Sequence, residues 1–234
     1  MVVYRIKPLP IVEIEASMGI ITYLRNYNRT MKWKGYIWYI DGAKENIIVD
    51  SSGKAKTLVE HDLPATQIQT PREALSNIGL SPEEVDKVIV THAHFDHIEY
   101  GKDFPNAVFL IQKNEIELAR NPHPAVRRLY MDVIPLFDEL RFQIVDGEKE
   151  ILEGISVILT PGHTPGSQSV VVETEKGKAV ITGFCSTKDN FESGVITPGV
   201  HVDVLKAYDS VVAVKQIADI LLPLHEPNLK DTIP

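Results

Sequence analysis

The sequence predicts an α/β fold in which two β-sheets stack face to face and helices cover their outer sides. Three features point there. Short runs rich in β-branched and aromatic residues recur in both halves of the chain. Segments with helix punctuation or helical apolar spacing lie between those runs. No Gly/Ser linker, internal repeat or low-complexity tract separates the halves, so residues 1–234 are expected to form a single domain. At 234 residues, 44% apolar and 24% charged, the chain is long enough to bury a sizeable core.

The elements follow in order. Residues 36–40 and 46–50 read as strands, and Asp41-Gly42 between them reads as a hairpin turn. Thr70 as N-cap, Pro71 at the first helical position and Glu73 closing a capping box start a helix that Gly79 ends. Ser81-Pro-Glu-Glu84 repeats that start signal for a short turn. Residues 86–91 and 107–111 read as short strands, and 113–120 and 124–131 as helices broken by Asn121-Pro-His-Pro124. Residues 154–160, 168–173 and 178–182 read as strands again. Residues 161–166 form a loop, because two Pro and two Gly stand so close together. Val204, Ala207, Val211, Val214 and Ala218 give residues 202–218 one apolar helical face. Residues 219–224 are a last strand, with His225 at its end.

Composition narrows the function. Lys plus Arg number 24 against 32 Asp plus Glu, and the net charge of −8 argues against a general nucleic-acid binder. No apolar run approaches the length of a bilayer span, so no membrane partner is expected. Cys185 stands alone, which excludes an internal disulfide; with no signal-peptide pattern at the first residues, a cytoplasmic location is expected.

The histidines carry the chemistry. His92, His94 and His97 fall within six residues, with Asp96 among them, directly after a predicted strand. Imidazole and carboxylate suit zinc, iron or manganese, and a loop at the end of a rigid strand lets such ligands converge. The pattern His92-Ala-His94-Phe-Asp96-His97 resembles the signature of the metallo-β-lactamase superfamily. Ile47-Ile-Val-Asp50-Ser-Ser-Gly53 resembles that family's strand ending in an Asp-Thr-Gly-like turn, Pro161-Gly-His163-Thr-Pro-Gly166 its second histidine loop, and Leu222-Pro-Leu-His225 its terminal histidine. The resemblance covers residues from about 36 to 226. Within the superfamily, the spacing and the segment Thr187-Lys-Asp-Asn-Phe191 look most like the N-acyl homoserine lactonase branch.

The resemblance implies an αββα sandwich of two mixed β-sheets flanked by helices. It implies two divalent metal ions, zinc foremost and iron or manganese as alternatives. His92, His94 and His163 would hold one ion, and Asp96, His97 and His225 the other. A metal-bound hydroxide would then attack a lactone or other ester carbonyl, with Asp96 also orienting the water or taking its proton. A glyoxalase II-type thioesterase, an iron-dependent sulfur dioxygenase and a non-catalytic binding member are the alternatives.

One position departs from the lactonase pattern. Where an aspartate after Thr-Gly bridges the metals, this chain reads Thr182-Gly183-Phe184-Cys185. Either Phe184 takes that place and the bridge is lost, or Cys185 points inward and offers a thiolate. Ser186 and Thr187 stand near where the lactonases carry a substrate-binding tyrosine.

Candidates for binding a small acyl ester or lactone are Tyr23, Trp33, Phe184 and His201. Tyr23 and Trp33 belong to an aromatic-rich stretch, residues 23–39, that would wall a groove, pack on its own sheet or contact a second subunit of a homodimer.

Overall fold

The structure, a computed structural model, describes residues 2–229 and 231–234. In chain order the elements are β1 (Arg5–Ser17), β2 (Thr30–Asp41), β3 (Ile47–Val49), α1 (Ala55–Glu60), β4 (Ala65–Gln67), α2 (Pro71–Ser76), β5 (Lys87–Ile89), α3 (Phe95–Ile98), β6 (Val108–Gln112), α4 (Lys113–Arg120), β7 (Phe142–Val145), β8 (Lys149–Leu152), β9 (Ile155–Leu159), β10 (Gln168–Thr174), β11 (Gly177–Ile181), α5 (Asp189–Glu192), α6 (Val204–Ile217) and β12 (Ile220–Leu222).

Two mixed sheets result. One has seven strands in the order β4-β1-β2-β3-β5-β6-β7, and the other has five, β12-β11-β10-β9-β8. Side-chain alternation along the strands builds the layers. Tyr36 and Trp38 of β2 point inward, with Val49, Ile89 and Leu110, to meet Val157, Val170, Val172 and Ile181 of the second sheet. Ile37 points the other way, into a cluster with Leu58, Leu75 and Ile98 of the covering helices. Val171 and Val180 pack outward against Val211 and Val214 of α6. This is the expected αββα order.

The capping box of α2 is present as read, Thr70 and Glu73 each bonding the other's backbone N–H. The hairpin is present too, with Trp38 opposite Val49 in antiparallel register. Some expectations need correction. Residues 124–131 form no α-helix; a single 3-10 turn, Arg127–Leu129, follows the two prolines. Sequence reading also passes over β1, whose run is interrupted by Pro8 and Pro10, and the short strands β4, β7 and β8.

Parallel pairing positions the site. β3 and β5 run in parallel register, Val49 opposite Ile89, so the loops leaving both strands emerge at the same sheet edge. β11 and β12 are likewise parallel, Ile181 opposite Leu222, which brings Cys185 and His225 to one end of the second sheet.

Candidate metal centre

Four loops converge at that end of the sandwich. They leave β5, β9, β11 and β12, and those after β5, β9 and β12 bring together six residues separated by up to 133 positions in sequence. His92, His94 and His163 form one group and Asp96, His97 and His225 a second, each with its ligand atoms within 4.8 Å of one another. The groups adjoin: the rings of His92 and His97 lie 4.1 Å apart between centroids.

Outer hydrogen bonds fix which ring nitrogen faces inward. His163 Nδ1 donates to the Val200 carbonyl at 2.6 Å, and His225 Nδ1 to the Lys34 carbonyl at 3.1 Å. Thr91 Oγ1 spends its proton on Asp50, so it accepts from His92 Nδ1 at 3.2 Å. Each of these rings therefore presents a bare Nε2 lone pair to the centre. His92 Nε2 and His163 Nε2 stand 3.1 Å apart with no hydrogen to share. Two nitrogens on one tetrahedral zinc stand about 3.3 Å apart. His97 Nε2 is buried and has no hydrogen-bond partner; Asp96 Oδ2 lies 3.3 Å away, outside bonding alignment. Facing lone pairs and an orphaned buried nitrogen fit a pair of cations.

The electrostatics divide the groups. Burial, reinforced by neighbouring imidazoles, holds His92 and His94 well below the usual histidine range. Burial also brings His163 down to about 4, and His225 to about 4 with His97 adding to the effect. His97 goes the other way. Burial alone would lower it, but the carboxylates of Asp96 and Asp50 push it up to about 10. Burial would raise Asp96, yet the facing His97 and His225 hold it well below the carboxylate range.

Asp50 anchors the second group. Left-handed backbone at φ 57° aims its carboxylate back at the loop. There it accepts from Thr91 N and Thr91 Oγ1, both at 2.7 Å, and from His97 Nδ1 at 2.8 Å. The first group has a counterpart. Glu115, fully buried at the start of α4, accepts from Ala93 N at 2.9 Å, Tyr130 Oη at 3.2 Å, Gly166 N at 3.2 Å and Thr164 Oγ1. Burial pushes its carboxyl above the usual range while these four donors pull it back. In sequence Asp50 is legible as the end of a strand motif; Glu115 resembles any surface glutamate of a short helix.

The departure after Thr182 resolves geometrically. A bend at Gly183, where a Cβ would come 2.1 Å from the Gln168 carbonyl, sends the two following side chains apart. Phe184 packs with Phe191, Val211 and Val214 beneath α6, so its expected role in binding substrate is corrected to a core role. Cys185 lines the metal-centre cavity, and burial, then Asp96, push its thiol well up. It lies outside both ligand groups.

That cavity measures about 120 Å³ and is walled by Ile14, Ile20, Trp33, Leu63, Leu129 and Val200 around the six ligands. Trp33 leans on the His225 ring at 5.2 Å, and its Nε1 is buried without a partner. Tyr23 and His201 are outside this lining. They meet each other edge to face at 4.7 Å, and His201 Nδ1 donates to the Pro198 carbonyl at 2.8 Å.

Comparison with known proteins bears on these features. Residues 32–216 match the metallo-beta-lactamase superfamily. An N-acyl homoserine lactonase of a Bacillus species is 34% identical over 145 residues, 61% of this chain. The matched stretch spans 55% of that relative's length. The N-acyl homoserine lactonase AttM of Rhizobium radiobacter is 27% identical over 157 residues, 63% of this chain and 59% of its own. Among solved structures, an N-acyl homoserine lactone hydrolase with N-hexanoyl-L-homoserine at its catalytic metal center superposes with a TM-score of 0.79. The identity is 22%, over 97% of this chain and 94% of that one. AidC, a dizinc quorum-quenching lactonase, gives 0.70 at 17% identity, over 95% and 86%. At these identities the likeness of structures shows the fold.

Proposed function

Because the chain belongs to the metallo-β-lactamase superfamily, we propose that it is a metal-dependent hydrolase that opens lactones, with N-acyl homoserine lactones as the leading substrate class. One observation carries the reading: two adjoining ligand groups with inward lone pairs lie on the floor of an apolar cavity. The relatives named as lactonases support the choice of substrate. His92, His94 and His163 would hold one cation and Asp96, His97 and His225 the other, zinc being the metal most at home among nitrogen and carboxylate donors. Such cations supply Lewis acidity toward a carbonyl oxygen and acidify a coordinated water.

The chain's own residues do the rest. Asp50, Val200 and Lys34 hold the rings of His97, His163 and His225 with their Nε2 atoms inward. Asp96 Oδ2 faces the His97 and His225 rings at 3.3 and 3.8 Å. Its second oxygen would take the proton of the attacking water and return it to the ring oxygen that leaves, so that lactone and water give a hydroxy acid. Trp33 offers a buried N–H with no other acceptor, suited to a substrate carbonyl. Cys185 would add a thiolate to the second cation in place of the missing aspartate. The cavity is smaller than the roughly 300–1,000 Å³ of ordinary ligand sites. A lone cysteine, free of any internal disulfide, fits a reducing, cytoplasmic setting.

A second reading within the superfamily is an iron-dependent sulfur dioxygenase, which the altered bridge position at Phe184-Cys185 motivates, or a glyoxalase II-type thioesterase, which would use the same ligands. A pH-stat assay on zinc- and iron-loaded protein separates them. N-hexanoyl homoserine lactone should release acid, stop with chelator and resume with zinc. Turnover of a thioester alone, or oxygen uptake with iron, would overturn the lactonase reading.

A further inference from the structure

The first ligand group rests on two loops whose one shared backbone hydrogen bond among the described residues lies at their base, where Gln168 N donates to the Thr91 carbonyl at 2.9 Å. His92 and His94 flank Ala93, and His163 precedes Thr164. Nearer the histidines the link is Glu115, whose side chain no solvent reaches. Its Oε1 takes Ala93 N and Tyr130 Oη, and its Oε2 takes Thr164 Oγ1 and Gly166 N. Two donors on each oxygen saturate an ionised carboxylate and leave no room for a proton or an amide hydrogen. The approach is close by construction: a Cβ on Gly166 would sit 2.2 Å from Glu115 N. Tyr130, fully buried, donates to the carboxylate and sets its ring edge to face on His94 at 4.9 Å. The same group thus touches one neighbour of every histidine in the triplet and none of the second group.

We infer that Glu115 is the positioning residue of the first metal subsite, a buried carboxylate that sets the distance between the His92–His94 loop and the His163 loop. This rests on the metal-binding part of the proposed function and is independent of the substrate. Glutamine has the same shape but turns an NH2 toward two of the four donors, so the loops must separate. Partners behind a metal ligand typically govern about 10–100-fold in affinity.

The test uses the full chain and zinc alone, in two backgrounds. His225→Ala leaves the first subsite as the stronger one, and His94→Ala leaves the second. Zinc affinity is read by competition with a chromophoric chelator. Glu115→Gln should weaken zinc about 10–100-fold in the His225→Ala background and less than about threefold in the His94→Ala background. A residue that merely supports the fold would weaken both alike. Equal weakening, or an unchanged affinity at the first subsite, overturns the proposal. Should Glu115→Gln not fold, Thr164→Val removes one donor and decides by the same contrast: selective loss at the first subsite upholds the inference, and none overturns it. No lactone enters the assay, so a failed lactonase reading leaves the result interpretable, and absence of zinc from both backgrounds would refute the metal reading itself.

Discussion

The two ligand groups sit side by side and are built on opposite electrostatic plans. The first is three imidazoles made neutral by burial, with the carboxylate of Glu115 engaged on the backbone and side chains of the loops behind them. The second contains its own charge: Asp96 and His97 face each other, and Asp50 stands behind. The first group is therefore a nitrogen pocket waiting for a positive charge. In the second, the carboxylates of Asp96 and Asp50 favour a proton on His97, with which a cation would compete. The difference teaches that one centre can pair a preformed subsite with one whose charge is exchanged on loading.

Removing a ligand breaks the comparison most sharply. His94→Ala should abolish binding at the first subsite and activity with it, an effect larger than the roughly 10–100-fold typical of an outer partner, while one equivalent of metal remains. Elemental analysis of dialysed protein reads this directly. Next in size, Asp50→Asn keeps the shape but weakens the acceptor behind His97. Affinity at the second subsite should fall about 10–100-fold in the same chelator competition, and the first should fall less, because Asp50 reaches His92 only through Thr91. Cys185→Ser comes third. If the thiolate joins the second cation, metal content drops toward one equivalent; unchanged stoichiometry retires the thiolate.

The smallest effect lies far from both groups. Arg72 pairs with Glu83 beside α2 and, by hydrogen bonding, holds that carboxyl at about 2, below its ordinary 4.5. A depressed carboxylate stabilises above its ordinary pKa and ceases to do so as pH falls through the lowered value. Arg72→Ala should thus lower Tm slightly at neutral pH, and the gap from the parent should close as pH drops from 4.5 toward 2, with both subsites binding metal as before. A change in either affinity would mean that the centre senses remote strain.

Much of this was legible in the sequence, for physical reasons. The six converging ligands stand in motifs at strand ends, where a loop can aim a side chain without disturbing a core. Capping leaves a local signature, so α2 was readable from Thr70, Pro71 and Glu73. Long-range partners leave none. Glu115 meets Gly166 across 51 positions, and nothing near it in sequence marks it as buried. β1 pairs with β2 along nearly its whole length, yet Pro8 and Pro10 disguise it, because a strand tolerates proline where no further strand needs its N–H. The opposed directions of Phe184 and Cys185 depend on a bend at Gly183 that only close packing against Gln168 requires.

The most direct measurement is anomalous diffraction at the zinc edge from crystals of zinc-loaded protein. Two peaks should appear in the cavity, one about 2.0–2.1 Å from nitrogens of His92, His94 and His163, the other touching Asp96, His97 and His225. A cavity without a peak, or a zinc bound elsewhere on the chain, would contradict the account.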